Sequence, residues 1–564
     1  MTNRPFAYRL RGVVLALAAA AALHPTARAQ RTQSEDFALG RNAEVLVNML
    51  RELSTQYVDK IDADLLLQRS AAGMATALDP YTEYLPEQKM TSFEIMTTGQ
   101  YGGVGSLIRQ KGDHVIFAQP YEGSPADRAG IRIGDRIISI DGEDASGFTT
   151  EQVSTRLKGD PDTDVRLVVE HSLDSRRDTL TLRRERIAIP SVPWSGYVAD
   201  GIGYIQHSDF TERSYEQVRN ALERLRAEGQ LRGLVLDYRS NGGGIMQEAV
   251  KIASLFVPKG TLIVSTMGRD STSRREYRTE NEPIAADLPI VFLINSSTAS
   301  SSEILAGALQ DLDRAAVIGQ RSYGKGLVQA TRYLGYNSYL KLTTAKYYIP
   351  SGRCIQAVNY AERDADGGVA AIPDSLLTEY RTAGGRRVYD GGGIAPDIKI
   401  EPNYVSRFAL TLYAMGYMED WADEYMRRHN GEKIDVRTFS IGDDEYEDFK
   451  RFIADKDVPY QSQTRHAIAA LRKAAKDDLY DTTLEEHVAA IEALVKDDTA
   501  SNLETYRREI IDALNAEIVL RHAYNRGVIE HSAASDQTVR RAVELLSSPE
   551  EYARILAEQD PPRH

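Results

Sequence analysis

Leu288-Pro289-Ile290-Val291-Phe292-Leu293-Ile294-Asn295-Ser296-Ser297-Thr298-Ala299-Ser300-Ser301-Ser302-Glu303-Ile304-Leu305 runs from an apolar stretch, through small polar residues, into helix formers. A short, unbroken apolar run reads as a strand buried on both faces. The turn after it leads into a helix over Ser300 to Leu309. Working outward, Gly233-Leu234-Val235-Leu236-Asp237 is a second such strand, followed by a glycine loop and a helix from about Met246. Ala315-Ala316-Val317-Ile318 is a third strand. Strand and helix alternate in this way over residues 186–400. Such alternation implies strand–crossover–strand units and an α/β core.

The flanks differ from that core. Residues 30–95 read as a helical N-terminal domain: Leu46, Leu50 and Leu53 recur at helical spacing, Leu65-Leu66-Leu67 starts a second apolar stretch, and Leu78-Asp79-Pro80-Tyr81-Thr82 breaks it as a turn. Residues 96–185 form a small β-rich module, with strands at His114–Phe117, Arg136–Ile140 and Val165–Val169 and a Thr-capped helix over Thr149 to Leu157. Residues 401–564 are rich in helix formers and charge and carry no catalytic constellation; they read as a helical extension for packing or dimerisation. The fold class is therefore multidomain α/β (α+β).

Arg4, Arg9 and Arg11, the apolar run Val13 to Leu23 and the small-x-small site Ala27-Arg28-Ala29 together read as a signal peptide over residues 1–29. That run is short for a bilayer span. The single cysteine, Cys354, excludes an intrachain disulfide and a cysteine-based metal site. Export without disulfides points to a bacterial periplasm or cell envelope. A net charge of −14 argues against a general nucleic-acid binder, because phosphate neutralisation needs surplus Lys and Arg.

The chemistry lies in three segments. A serine at a strand-to-helix turn sits beside the free N–H groups of the helix start, which can hold a developing oxyanion; Ser300 is placed in this way. Ser300-x-x-Glu303 also matches a capping box, which would make Ser300 a helix cap. A nucleophilic serine needs a base, yet no histidine occurs between His207 and His429. A desolvated lysine can serve, since burial disfavours its charged form. Lys325 lies between glycines in Tyr323-Gly324-Lys325-Gly326-Leu327-Val328-Gln329, and Gln329 could orient its amine. The third segment, Asp237-Tyr238-Arg239-Ser240-Asn241-Gly242-Gly243-Gly244, offers backbone N–H groups after a strand. It lacks the Lys-Ser/Thr ending of a phosphate-binding P-loop.

Taken in order, these segments resemble the carboxy-terminal processing (tail-specific) serine proteases, which use a Ser-Lys dyad. Thr298-Ala299-Ser300-Ser301-Ser302-Glu303-Ile304 is similar to the nucleophile segment, and Tyr323 to Gln329 is similar to the base segment. Tyr348-Ile349-Pro350-Ser351-Gly352-Arg353 and Gly392-Gly393-Ile394-Ala395-Pro396-Asp397 are further matches. The resemblance implies a crotonase- or ClpP-like βα core with Ser300 as nucleophile, Lys325 as general base and Gln329 as helper. It implies oxyanion donors at the amides of Gly243 and Ser301, with Gly244 a rival, and structural support from Asp311. Ser301 stands where the family more often has alanine, and Gly242 where many members have proline. The β-rich module resembles a PDZ domain, with Gly102, Gly103, Val104 and Gly105 as its carboxylate-binding loop and Gly123 to Ile131 as its most recognisable stretch.

The resemblance implies no cofactor and no metal. Its substrates would be proteins or peptides with apolar C-termini, captured as an added strand. Adaptor or peptidoglycan-associated partners and a homo-oligomer through the C-terminal helices are further expectations. The competing readings are a catalytically silent peptide-binding scaffold and an amidase-type hydrolase using the same dyad.

Overall fold

A computed structural model describes residues 33–557, apart from 361, 363–367 and 430. The expected signal peptide lies outside the described residues. The core is a six-stranded sheet in the order Trp194–Ala199, Ile202–Gln206, Gly233–Asp237, Ile290–Ile294, Ala316–Gly319, Ile398–Lys399. Its first pair is antiparallel and all the others are parallel. Leu234, Val235, Leu236 and every residue of Ile290–Ile294 are buried. A parallel sheet must be covered on both faces, which is why these strands read as continuous apolar runs.

One face is covered by the helices Ser214–Glu228, Met246–Ala253 and Ser301–Asp311, through Val218, Leu222, Ile252, Ile304 and Leu305. The other face is covered by the end of the chain. Val539, Ala542, Leu545 and Leu546 of helix Gln537–Leu546, with Ile555 of Pro549–Ala557, pack on Tyr204, Val235, Val291, Leu293 and Ile318. The Tyr552 hydroxyl donates to the Ile290 carbonyl at 2.9 Å. The C-terminal helices are thus part of the core's own packing, where the sequence reading expects an appended extension from 401. Upstream, residues 407–518 build a separate helical cluster around Phe408, Trp421, Tyr446, Phe449 and Leu514.

A second, antiparallel sheet is built on the long hairpin Leu327–Gly335/Ser338–Tyr348, which also pairs with Leu262–Met267. The N-terminal segment consists of helices Gln33–Gln56, Ala63–Thr76 and Glu87–Thr98 and one short strand, Glu83–Leu85, that pairs with Ser338–Tyr348. This strand carries the Asp79–Thr82 turn to the hairpin.

The β-rich module has strands Ser106–Lys111, His114–Pro120, Arg136–Ile140, Asp164–Glu170 and Arg177–Arg183 around Val115, Phe117, Ile137, Val153 and Val169. Helix Thr150–Leu157 begins at the Thr149 cap with a capping box to Gln152. Gln100–Gly103 pairs with Glu185–Ala188 where the chain enters and leaves the module. The helical domain grips this module through Arg109–Glu419 and Lys111–Asp420 ion pairs, Arg526–Glu122 (2.9 Å) and a Tyr524 hydroxyl bond to Asp127 (2.7 Å). Among the described residues no helix is long and apolar enough to cross a membrane.

Candidate active site

Strand Ile290–Ile294 ends at Asn295, and Thr298 pins the turn after it: the Thr298 hydroxyl donates to Tyr238 O (3.0 Å) and accepts from Asn295 N–H (2.9 Å). Ser300 then takes φ 58°, ψ −118°, a conformation that costs a non-glycine residue strain energy. Helix Ser301–Asp311 starts immediately after it, and Ser300 makes no side-chain cap hydrogen bond. The other half of the capping pattern is present, with Ser300 N–H donating to Glu303 Oε2.

Glu303, one turn into the helix, is completely buried. Its Oε2 accepts from the backbone N–H of Ser300 (2.8 Å) and of Lys325 (2.9 Å). Its Oε1 accepts from Gly324 N–H (2.7 Å) and the Ser322 hydroxyl (2.5 Å). Burial pushes its carboxyl up to about 7, against those four hydrogen bonds, which favour the ionised form. One carboxylate thus clasps two segments that are 25 residues apart in the chain. Tyr347 repeats the clasp from the hairpin, its hydroxyl meeting the carbonyls of both Ser300 (3.2 Å) and Lys325.

Lys325 is held below its ordinary 10.5, at about 8, first by burial and then by the positive charge of Lys341; Glu303 and Asp79 act in the opposite sense. Its Nζ lies 4.4 Å from the centre of the Tyr81 ring. Asp79 fixes that ring's turn by accepting from the N–H groups of Tyr81 (2.8 Å) and Thr82 (2.7 Å). Among the described residues no hydrogen bond joins Lys325 Nζ to Ser300 Oγ or to Gln329. Gln329 instead donates to the Thr343 hydroxyl across the hairpin (3.2 Å).

The glycine loop lies against Ser300. A Cβ at Gly243, whose φ is 98°, would stand 2.7 Å from Ser300 Cβ and 2.9 Å from Ser301 N. Asn241 O accepts from Ala299 N–H (3.0 Å) and the Ser302 hydroxyl (3.1 Å), and Gly244 O accepts from the Ser301 hydroxyl (2.9 Å). The Gly243 N–H, expected as an oxyanion donor, is engaged by Asn241 Oδ1 at 2.9 Å. The N–H groups of Ser301 and Gly244 have no hydrogen-bond partner among the described residues. His207 lies behind the loop, fully buried and held neutral by that burial at about 3. Its Nδ1 faces the Asn241 amide at 3.2 Å. Asp311 pairs with buried Arg353 (2.8 Å) and accepts from Ser351 N–H (3.0 Å), a supporting arrangement remote from proton transfer.

In the β-rich module, Gly102 and Gly103 belong to the strand paired with Glu185–Ala188, so they are not part of an open loop. A Cβ on Gly102 would overlap Gly159 O, and one on Gly105 would overlap Ser124. Val104 and Gly105 do form the turn into strand Ser106–Lys111. A cavity of about 30 Å³ lies there between strand and helix, with Tyr101, Val104, Gly105, Ile108, Leu157 and Lys158 in its walls.

Sequence reasoning missed four participants. Glu303 was visible only as a capping residue. Tyr81 and Tyr347 reach the site from distant segments. Arg239 forms ion pairs with Asp237 (2.6 Å) and with Asp536 of the C-terminal helices (2.7 Å).

Comparison with known proteins places these features in a family context. A family model for peptidase family S41 matches residues 201–364, one for a PDZ domain matches residues 116–171, and one for the C-terminal helical domain of probable PDZ-proteases matches residues 408–546. The carboxy-terminal-processing protease of Bartonella bacilliformis is 34% identical over 314 residues, covering 55% of this chain and 72% of that protein. A probable CtpA-like serine protease of Staphylococcus aureus is 34% identical over 319 residues, covering 56% of this chain and 62% of its own. The solved photosystem II D1 C-terminal processing protease is 27% identical, with 64% of this chain and 87% of that chain covered and a TM-score of 0.34.

Proposed function

This chain belongs to peptidase family S41, the carboxy-terminal-processing serine proteases, and we propose that it is an exported endopeptidase in which Ser300 is the nucleophile and Lys325 the general base. The observation that carries this reading is the Glu303 clasp, whose Oε2 takes the backbone N–H of both residues at 2.8 and 2.9 Å.

In the reaction, neutral Lys325 moves off the Tyr81 ring and takes the Ser300 proton. Ser300 Oγ attacks the peptide carbonyl carbon, and the negative charge gathers on the carbonyl oxygen. The N–H groups of Ser301 and Gly244, without a hydrogen-bond partner among the described residues, are the proposed donors for that oxygen; Gly243 can join only if Asn241 releases it. As the tetrahedral intermediate collapses, the Lys325 ammonium returns the proton to the leaving amine. Water, deprotonated by the same lysine, then attacks the ester, and the ammonium returns that proton to Ser300 Oγ as it leaves. With Lys325 at about 8, roughly a tenth of the enzyme carries the neutral amine at pH 7. The PDZ domain would recruit proteins through apolar C-terminal tails, its strand Ser106–Lys111 and helix Thr150–Leu157 forming the groove walls.

Ser300→Ala and Lys325→Ala should each abolish cleavage while leaving the folded state intact. A fluorophosphonate probe should add its mass at Ser300 alone. Full turnover in either purified variant refutes the assignment. Because the Lys325 amine rests on Tyr81 rather than on Ser300, a silent peptide-binding scaffold is the second reading; an unlabelled Ser300 with intact tail binding would favour it. Cleavage of one unfolded test protein carrying apolar or charged C-terminal tails tests recruitment.

A further inference from the structure

We propose that the C-terminal helical domain completes the active centre, and that Asp536 is the positioning residue through which it holds the glycine loop. The inference rests on the reading of that loop as part of the Ser300 site.

Asp536 sits where helix Arg507–Ser535 ends and helix Gln537–Leu546 begins. Its two oxygens have separate tasks. Oδ1 caps the second helix, accepting from the N–H groups of Thr538 (2.7 Å) and Val539 (2.9 Å). Oδ2 faces the sheet and accepts from Arg239 Nη1 at 2.7 Å. The same guanidinium turns its Nε and Nη2 to Asp237 at 3.0 and 2.6 Å, and the Tyr204 hydroxyl donates to Asp237 at 2.7 Å. Arg239 is therefore stretched between a buried carboxylate at the end of strand Gly233–Asp237 and a carboxylate of the covering helices.

Residue 239 is also the first step of the loop. Ser240 N–H is fixed on Asn295 Oδ1 at 2.8 Å, Asn241 O receives Ala299 N–H, and the Gly243 and Gly244 backbone lies against Ser300 and Ser301. Asn295 and Asn241 hold the loop from the nucleophile's side. Asp536 is the anchor on the opposite face of the sheet. Charge-assisted pairs of this kind fix orientation as well as distance, and a displacement of about 1 Å near reacting atoms can cost on the order of a hundredfold in rate.

Replacing Asp536 separates positioning from folding. Asparagine is as good a helix cap as aspartate, and without Asp536 the buried Asp237 still has Arg239 as its counter-ion. Asp536→Asn should therefore fold with a Tm close to that of the wild type. Its kcat on an unfolded test protein should fall about tenfold or more, with KM unchanged within about twofold. Fluorophosphonate labelling of Ser300 should slow in parallel, because that reaction also develops an oxyanion. Asp536→Ser, which caps without charge, should behave like Asp536→Asn, and Asp536→Ala should add a loss of Tm to the same fall in kcat. Wild-type kcat and labelling rate in Asp536→Asn, alongside an inactive Ser300→Ala, overturn the proposal alone. A fall in kcat confined to Asp536→Ala and tracking its Tm also overturns it, since that is the behaviour of a cap and nothing more. Full turnover by Ser300→Ala overturns both the proposal and the reading beneath it.

Discussion

Replacing Glu303 with glutamine tests whether one buried carboxylate keeps Ser300 and Lys325, the proposed nucleophile and base, in register. The carboxylate accepts two hydrogen bonds at each oxygen, at 2.5 to 2.9 Å. Glutamine keeps one acceptor oxygen and turns an NH₂ toward the other two donors. Each lost bond to a charged group costs about 1.5–3 kcal/mol, so two cost about 3–6 kcal/mol. The opposing term is the relief of burying no charge. Even with those bonds in place, burial holds the Glu303 carboxyl up at about 7, so a neutral side chain escapes part of the cost of burying charge. The balance is a loss of stability below that sum of about 3–6 kcal/mol. The kinetic loss should be larger. Whichever pair of donors is orphaned, the Ser322–Lys325 segment shifts relative to Ser300, and a fall in kcat of about a hundredfold is expected. The assay is kcat and KM on an unfolded protein, with Tm measured from pH 5 to 8. Because the folded-state value lies above the unfolded one, the wild type takes up a proton on folding between about 4.5 and 7. It should gain stability as pH falls through that window, and Glu303→Gln should not. A kcat within threefold of the wild type, or identical Tm profiles for the two proteins, would refute the reasoning.

The pH dependence of kcat/KM should rise to a plateau with an inflection near 8, where free-enzyme Lys325 loses its proton. Lys341→Met removes a positive neighbour that depresses it, so the inflection should move up by a few tenths to about one pH unit and activity at pH 7 should fall; an unmoved inflection in a pH titration contradicts this. Gly243→Ala places a Cβ 2.7 Å from Ser300 Cβ in a φ-positive position. Fluorophosphonate labelling of Ser300 should be lost while circular dichroism stays native. A chain ended at residue 536 loses Val539, Ala542, Leu545, Leu546 and Ile555 from the sheet, worth on the order of 5–10 kcal/mol, comparable with the whole stability of a domain. It should not give a soluble, cooperatively melting protein, and a sharp wild-type melting transition would count against the packing described.

What could be read from sequence was what local pattern encodes. Ile290–Ile294 and Leu234–Leu236 announce themselves because strands covered on both sides need no polar alternation. Ser300 and Lys325 stand out through the glycines and small residues around them. The Glu303 clasp was hidden because its partners are mostly backbone N–H groups from residues 300, 324 and 325, which any side chain could carry. The engagement of the Gly243 amide was readable in principle: Asn two residues before Gly is an Asx-turn pattern. The apolar stripe of Gln537–Leu546 indicates a covered face, but a stripe does not name its partner. Here the partners are mainly strands more than two hundred residues upstream. Tyr81 shows the same limit, since only the pairing of Glu83–Leu85 with the hairpin brings it to Lys325.

The placement of the covering helices has a consequence for the order of events in synthesis. Ribosomes make proteins from the N-terminus, so the segments carrying Ser300 and Lys325 emerge long before Leu545 and Ile555 do. Without those helices Val235, Val291 and Leu293 lack their apolar cover, and Arg239 keeps only Asp237 of its two carboxylate partners. On the positioning role proposed for Asp536, competence then depends on helices made after the residues that carry the chemistry.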